Sequence, residues 1–274
     1  MNDENIRIEV GDAVVIMRSL QSESIDLVIA DPPYNLGKNY GNNHDLLGFE
    51  DYLEFSLLWL REAHRVLRPT GTIYVFMGVR FISYLYDLLD QKLGMHFNSW
   101  ITWHYTQGMG RTKGFSPRHD DILMFTKTPV FKFNLDDVRV PQKYFRRRNN
   151  MTGANPGDVW QFSHVHYSNP EREEHPTQKP EALIERIVLA STDAADQILD
   201  PFAGSGTTLR VAQITGRRCT GIELNPDYAA AILRRLQCPF EGFDSIDPRM
   251  SRTPRDLPSE TAGTQADLLL SGPE

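Results

Sequence analysis

Ile25-Asp26-Leu27-Val28-Ile29-Ala30-Asp31-Pro32-Pro33-Tyr34 is an apolar, β-branched run that ends abruptly on an acid and two prolines. Such a run reads as a buried strand, and proline cannot continue its ladder, so the strand stops and leaves Asp31 at its carboxyl end. In open α/β sheets that edge is where ligands bind. A carboxylate, carbonyls next to residues without N–H groups, and an aromatic ring are presented together there, a set suited to a flat, amino-bearing ring. The plain alternative is a Pro-Pro turn after a core strand, with Tyr34 at the surface.

The rest of the chain supports a sheet around that strand. With 274 residues, 40% of them apolar, it is long enough for one large α/β domain with an insert. Its apolar runs all fall short of the roughly 20 residues needed to cross a bilayer. The amino terminus, Met1 to Asn5, lacks the basic and apolar form of a signal peptide, so a cytoplasmic protein without membrane attachment is expected. Cys219 and Cys238 have no metal-ligand spacing, and both are read as structural. The net charge of −7 argues against nonspecific coating of nucleic acid. More than half of it lies beyond Pro239, in a proline-, serine- and acid-rich tail expected to be disordered.

Strands and helices alternate along most of the chain. Ile6 to Val10 predicts a strand, Ala13 to Leu20 a helix, Phe49 to Leu67 a helix, Thr72 to Met77 a strand, Val79 to Leu93 a helix, and Phe97 to Trp103 and Asp121 to Lys127 strands. The Gly/Asn-rich stretch Asn35 to Asn43 reads as a loop above the Asp31 edge, a candidate lid. From Pro129 to Glu174 the alternation breaks down, and the segment reads as a recognition insert outside the core. Order resumes with a helix from Pro180, a strand ending at Asp200, a glycine turn, a helix from Leu209, a strand Cys219 to Ile222 followed by Glu223, and a helix from Asn225-Pro226. This pattern predicts a doubly wound, largely parallel α/β sheet.

The second decisive stretch is Asp200-Pro201-Phe202-Ala203-Gly204-Ser205-Gly206-Thr207-Thr208. A strand, a glycine turn and a helix bring backbone N–H groups close to a ligand. No lysine follows the glycines, so it is not a P-loop, and Leu209 stands where a dinucleotide fingerprint has its third glycine. A nucleoside ligand without a pyrophosphate fits better, with Glu223 placed to hold ribose hydroxyls.

Asp31-Pro32-Pro33-Tyr34, His175-Pro176-Thr177-Gln178-Lys179-Pro180 and Asp200 to Thr208, in this order, resemble the motifs of the β-group amino-DNA methyltransferases, over residues 6 to about 237. The resemblance implies a circularly permuted fold of the S-adenosylmethionine-dependent type. A catalytic half would span 1–128, a target-recognition insert 129–174, a cofactor half 175–238 and a tail 239–274. It implies that S-adenosylmethionine lies against Asp200, Phe202, Ala203, Gly204, Ser205, Gly206, Thr207 and Thr208, with Glu223 on the ribose. His175, Thr177 and Lys179 would close over the methionine end and Asp12 would reach the adenine, although a turn-capping role for Asp12 is an equal reading.

A flipped-out base would meet Asp31, Pro32, Pro33 and Tyr34, since a paired exocyclic amine cannot face a methyl donor. Cytosine-C5 chemistry needs a cysteine nucleophile, commonly set in Pro-Cys, whereas the sole adjacent pair here is Cys238-Pro239, reversed and beyond the last helix. Enzymes of the group acting on cytosine N4 usually start the tetrapeptide with serine, so Asp31 favours adenine N6. A catalytically silent DNA-binding regulator is the rival from another class. In the insert, Lys143, Arg146, Arg147 and Arg148 are candidate DNA contacts, and Trp160 and Phe162 are expected to pack the module. The implied partners are double-stranded DNA or a single strand, a possible second copy of the chain, and a possible cognate restriction endonuclease.

Overall fold

The computed structural model describes residues 5–37, 46–105, 108, 110–140, 153–165 and 171–240. Among these, eight strands form one sheet in the order β1-β8-β7-β2-β3-β5-β4-β6. They are β1 (Ile6–Val10), β2 (Ile25–Ala30), β3 (Leu67–Met77), β4 (His96–His104), β5 (His119–Thr126), β6 (Val159–Gln161), β7 (Gln197–Asp200) and β8 (Arg218–Glu223). The five from β1 to β3 are parallel neighbours. β5 runs antiparallel to both β3 and β4, and β6 lies parallel to β4 at the edge.

Side-chain alternation along the central strands divides the core into two layers. Val28, Ala30, Ile73, Val75 and Leu199 face one cluster, with Met17 of α1 (Ala13–Ser19), Trp59 and Leu60 of α2 (Phe49–Val66), and Leu85 of α3 (Ile82–Asp87). Leu27, Ile29, Tyr74, Phe76 and Ile198 face the other, with Leu183 and Ile187 of α5 (Glu181–Ser191), Leu209 of α6 (Thr207–Ile214) and Ile232 of α7 (Pro226–Arg235). Strands buried on both faces read as continuous apolar runs, as β2 does. A short α4 (Leu135–Val138) sits beside α5.

β7 and β2 are adjacent, Leu27 opposite Ile198 and Val28 opposite Leu199. From β2 the chain proceeds outward to β3, and from β7 in the opposite direction to β8. Asp31 and Asp200 therefore leave the sheet side by side at the point where the winding reverses, where doubly wound sheets open a crevice.

Three expectations change. β3 begins at Leu67 and includes Pro69, because its register against β2 slips between Ile25 and Leu27 and the slack is taken up at Arg68 to Gly71; proline is tolerated in such a bulge. The helix expected from Val79 starts only at Ile82, and from Leu88 to Lys92 it widens into a π-turn. The stretch 129–174 is not wholly outside the core. Its β6 extends the sheet, Trp160 and Phe162 are buried in the second cluster, and the Trp103 indole N–H donates to the Phe162 carbonyl at 2.9 Å. Lys143, Arg146, Arg147 and Arg148, most of the expected lid and the tail after Phe240 lie outside the described residues. Among the described residues, no helix is long and apolar enough to cross a membrane.

Candidate active site

At the reversal point the ends of β2, β7 and β8 surround a cavity of about 320 Å³. Asp31 to Tyr34 form one wall. Asp200 and Phe202 to Ser205, with Thr207 and Thr208, form the opposite wall, and His175, Thr177 and Lys179 reach in from the segment before α5. Asp12 and Glu223 line the cavity from the neighbouring strand ends. Asp31 and Lys179, 148 residues apart in the sequence, thus meet in one space. Gly206 does not line it. Its φ of +76° makes the turn into α6, and a Cβ there would come within 2.7 Å of Ile232.

Each wall is held from behind. Tyr52 of α2 donates to the Pro33 carbonyl at 2.7 Å, which leaves the Pro32 carbonyl without a donor among the described residues. The Asn35 side chain, buried and at φ +56°, brackets Leu47 with two hydrogen bonds of 2.7 and 3.0 Å. That clamp ties Asn35, where the expected lid begins, to Leu47, four residues beyond its expected end at Asn43. On the other wall the Gly204 N–H donates to Glu223 Oε2 and the Asn225 N–H to Oε1, each at 2.8 Å. Gly204, at φ +52°, closely approaches the His175 ring, and a Cβ there would lie 3.0 Å from it. Asp12 lines the cavity and also caps α1, accepting the Val15 N–H at 2.9 Å, which is the capping reading of the two.

The electrostatics centre on three acids. Burial pushes the Asp200 carboxyl up to about 7, against bonds from Thr208 and Phe202 and with the nearby Asp31 and Glu223 charges adding to the rise. Burial also raises Glu223, opposed by the amides of Asn225, Gly204 and Leu224. The Lys179 ammonium pairs with Asp31 Oδ2 and stands 5.3 Å over the Tyr34 ring and 5.4 Å over Phe76. Asp31 Oδ1 is buried and has no partner among the described residues. A dry acceptor left unpaired costs free energy that a ligand N–H would recover.

A sequence model of N6/N4 DNA methylases matches residues 25–234. The chain belongs to that family. It is 59% identical over 252 residues to the type II methyltransferase M.HpaI of Haemophilus parainfluenzae, covering 92% of this chain and 80% of the relative. It is 38% identical to the DNA adenine methyltransferase YhdJ of Escherichia coli K12, covering 82% and 81%. Among solved structures, that of the M1.HpyAVI–SAM complex superposes with a TM-score of 0.59 at 28% identity, over 84% of this chain and all of the other. The cytosine-N4-specific PvuII DNA methyltransferase superposes at 0.71 over 98% and 94% of the two chains; at 19% identity that likeness speaks to the fold alone.

Several residues that shape this methylase's cavity are not part of any motif. Tyr52 and Phe76 line it, and Trp59 backs the motif residue Phe202 edge-on with ring centres 5.3 Å apart. Arg235, at the end of α7, is buried; it donates to the Ser205 carbonyl at 2.9 Å and pairs with Glu181 of α5 at 2.7 Å. Nothing local in the sequence marks these partners except their type, a buried arginine needing an acid. Cys219 is fully buried and burial raises its thiol pKa, whereas Cys238 is exposed beyond α7 and does not line the cavity.

Proposed function

We propose that this methylase transfers a methyl group from S-adenosylmethionine to the N6 amine of an adenine turned out of DNA. The observation that carries the reading is Asp31: one carboxylate oxygen is held by Lys179 and the other is buried and, like the carbonyl of the adjacent Pro32, has no donor among the described residues. Two acceptors on one edge match the two hydrogens of an exocyclic amine. They would fix the plane of the amine, expose its nitrogen lone pair and favour the positive charge that develops there. Tyr34 would stack on the base, a contact worth about 1–3 kcal/mol. The fully buried Phe76 would close the space behind it.

The opposite wall suits the cofactor. Glu223, already anchored by two amides, has remaining lone pairs for ribose hydroxyls, and Asp12, which lines the same cavity, is assigned to the adenine. Glu223 is the carboxylate that faces the cofactor in a mostly apolar cleft, since Lys179 already pairs with Asp31 and burial raises Asp200 to about 7. S-adenosylmethionine supplies an electrophilic methyl group on a positively charged sulfur, and the chain's residues contribute alignment and exclusion of water. Thr177 and Lys179 are assigned to the methionine carboxylate, so Lys179 stands between the two ligands. The family order, catalytic motif before glycine turn, makes the fold a permuted one in this reading.

Adenine over cytosine is supported by the acid that opens the tetrapeptide and by the 38% identity to an adenine methyltransferase. The test is Asp31→Ala. Tritium transfer to DNA should fall by at least a hundredfold, about the loss expected when a positioned acid is removed, while calorimetric binding of S-adenosylmethionine stays within a few-fold of wild type. Transfer at the wild-type rate would overturn the assignment of Asp31. Mass spectrometry of the nucleosides should show N6-methyladenosine as its deoxynucleoside; N4-methylcytosine would overturn the choice of base.

A further inference from the structure

Opposite the glycine turn, the loop joining β4 to β5 leaves the same sheet edge as Asp31. Met77 of β3 lies opposite Asp121 of β5, and His104 opposite His119. The root of the loop therefore stands two to three strand spacings, about 10–15 Å, to the side of β2 and, because Ala30 is level with Val75 and Leu123, about 13 Å beyond its end. Gly78, which follows β3, faces the Tyr34 ring: a Cβ there would lie 3.5 Å from it. From Tyr105 to Arg118 the loop contains no acid and carries Arg111, Lys113 and Arg118, in a chain of net charge −7. At its root the acids face inward: Asp121 accepts the Trp100 indole N–H at 2.9 Å, and Asp120 bonds the Tyr105 hydroxyl.

The tip is built to present one ring. The Arg111 N–H donates to Ser116 Oγ at 2.8 Å, closing a turn, and Gly114 at φ +77° bends it in open space. Phe115 next to it is 99% exposed, while Phe76, Phe81 and Phe125 are fully buried. A phenylalanine held wholly in water gains nothing for the fold. Flanked by cations at the edge where a base must leave its stack, it matches the apolar side chains that nucleic-acid-binding proteins insert between base steps.

Resting on the reading above, we infer that Phe115 is a wedge that enters the DNA stack beside the target nucleotide, with Arg111 and Lys113 on the flanking phosphates. The wedge replaces stacking lost when the base turns out, so its contribution belongs to duplex opening and not to methyl transfer.

The full chain tests this on a duplex whose target is located by sequencing modified bases in DNA treated with the wild-type enzyme. On the matched duplex Phe115→Ala should lower kcat/KM about tenfold or more, and Phe115→Trp should restore it. The same alanine variant should stay within about twofold of wild type on a duplex mismatched opposite the target, where little stacking is left to break. With 2-aminopurine at the target position, Phe115→Ala should lose most of the fluorescence rise seen on binding. Full activity of Phe115→Ala on the matched duplex would overturn the wedge, as would equal loss on matched and mismatched DNA. If the wild-type protein methylates neither, the methylase reading itself has failed, a separate outcome. Because Phe115 touches no core residue, misfolding does not confuse the comparison.

Discussion

Asp200 shows how one residue ties the fold to the chemistry of the cavity. Its carboxyl ends β7, accepts the Phe202 N–H at 3.0 Å and is almost fully buried. Unfolded, it ionises near 3.8; folded, it keeps its proton to about 7. Between those values the native state binds more protons than the unfolded one, so this group's contribution to stability falls as pH rises from about 4 to 7 and is level above that. Asp200→Asn, which keeps an acceptor for Phe202 and cannot ionise, should flatten that part of the profile. Thermal scans at pH 5 and 7.5 should give a smaller difference in Tm for the variant than for wild type, and equal differences would place the titration elsewhere. Leu209 gives a second lesson at this scale. It occupies the position of the missing third glycine, and the space it needs comes from Gly221 on β8, where a Cβ would lie 2.5 Å from the leucine. The glycine needed for close packing has moved from the helix to the strand.

Between elements, the glycine turn is secured by a buried ion pair remote from it in sequence. Arg235 ties the end of α7 to the start of α5 through Glu181, and to the turn through the Ser205 carbonyl and Thr207 hydroxyl. Arg235→Met leaves Glu181 buried without its cation and should cost about 3–5 kcal/mol. Adding Glu181→Leu should recover most of that loss, because the desolvated charge is removed as well. Urea denaturation of the single and double variants checks this; a double variant no more stable than the single one would show that the pair is not the source. These contacts also mark the limit of what the sequence reveals. β2 with Asp31, and β7 with Asp200, are legible because a strand, its stop and its terminal acid are adjacent in the chain. Lys179 on Asp31, Tyr52 on Pro33 and Arg235 on Glu181 depend on which strands and helices become neighbours, and local periodicity carries no information on that. The same holds for β6: three residues, Val159 to Gln161, are too short to show alternation, and only their pairing with β4 makes them a strand.

Across the whole molecule, two βα units wound in opposite directions meet at β2 and β7, and the segment linking them supplies an edge strand and is proposed to supply target recognition as well. Those two duties can be separated. Residues 153–165 carry β6 and Phe162, which hold Trp103 from one side, and Arg186 of α5 lies over the Trp160 and Phe162 rings at 5.2 and 4.6 Å. Lys143, Arg146, Arg147 and Arg148 belong to 141–152, where charge suits phosphate and guanine contacts. Replacing 141–152 and 166–170 by the corresponding residues of another N6/N4 methylase, with 153–165 retained, should leave Tm and S-adenosylmethionine affinity close to wild type while changing the sequence methylated. Replacing all of 129–174 with a segment lacking a β6 equivalent should instead lower stability by about 3–5 kcal/mol, the cost of removing large aromatic side chains from a core. Sequencing of modified bases, alongside thermal denaturation, reads both chimaeras. An unchanged methylated sequence in the first would place recognition outside these two stretches, and full stability in the second would show that β6 is dispensable to the sheet.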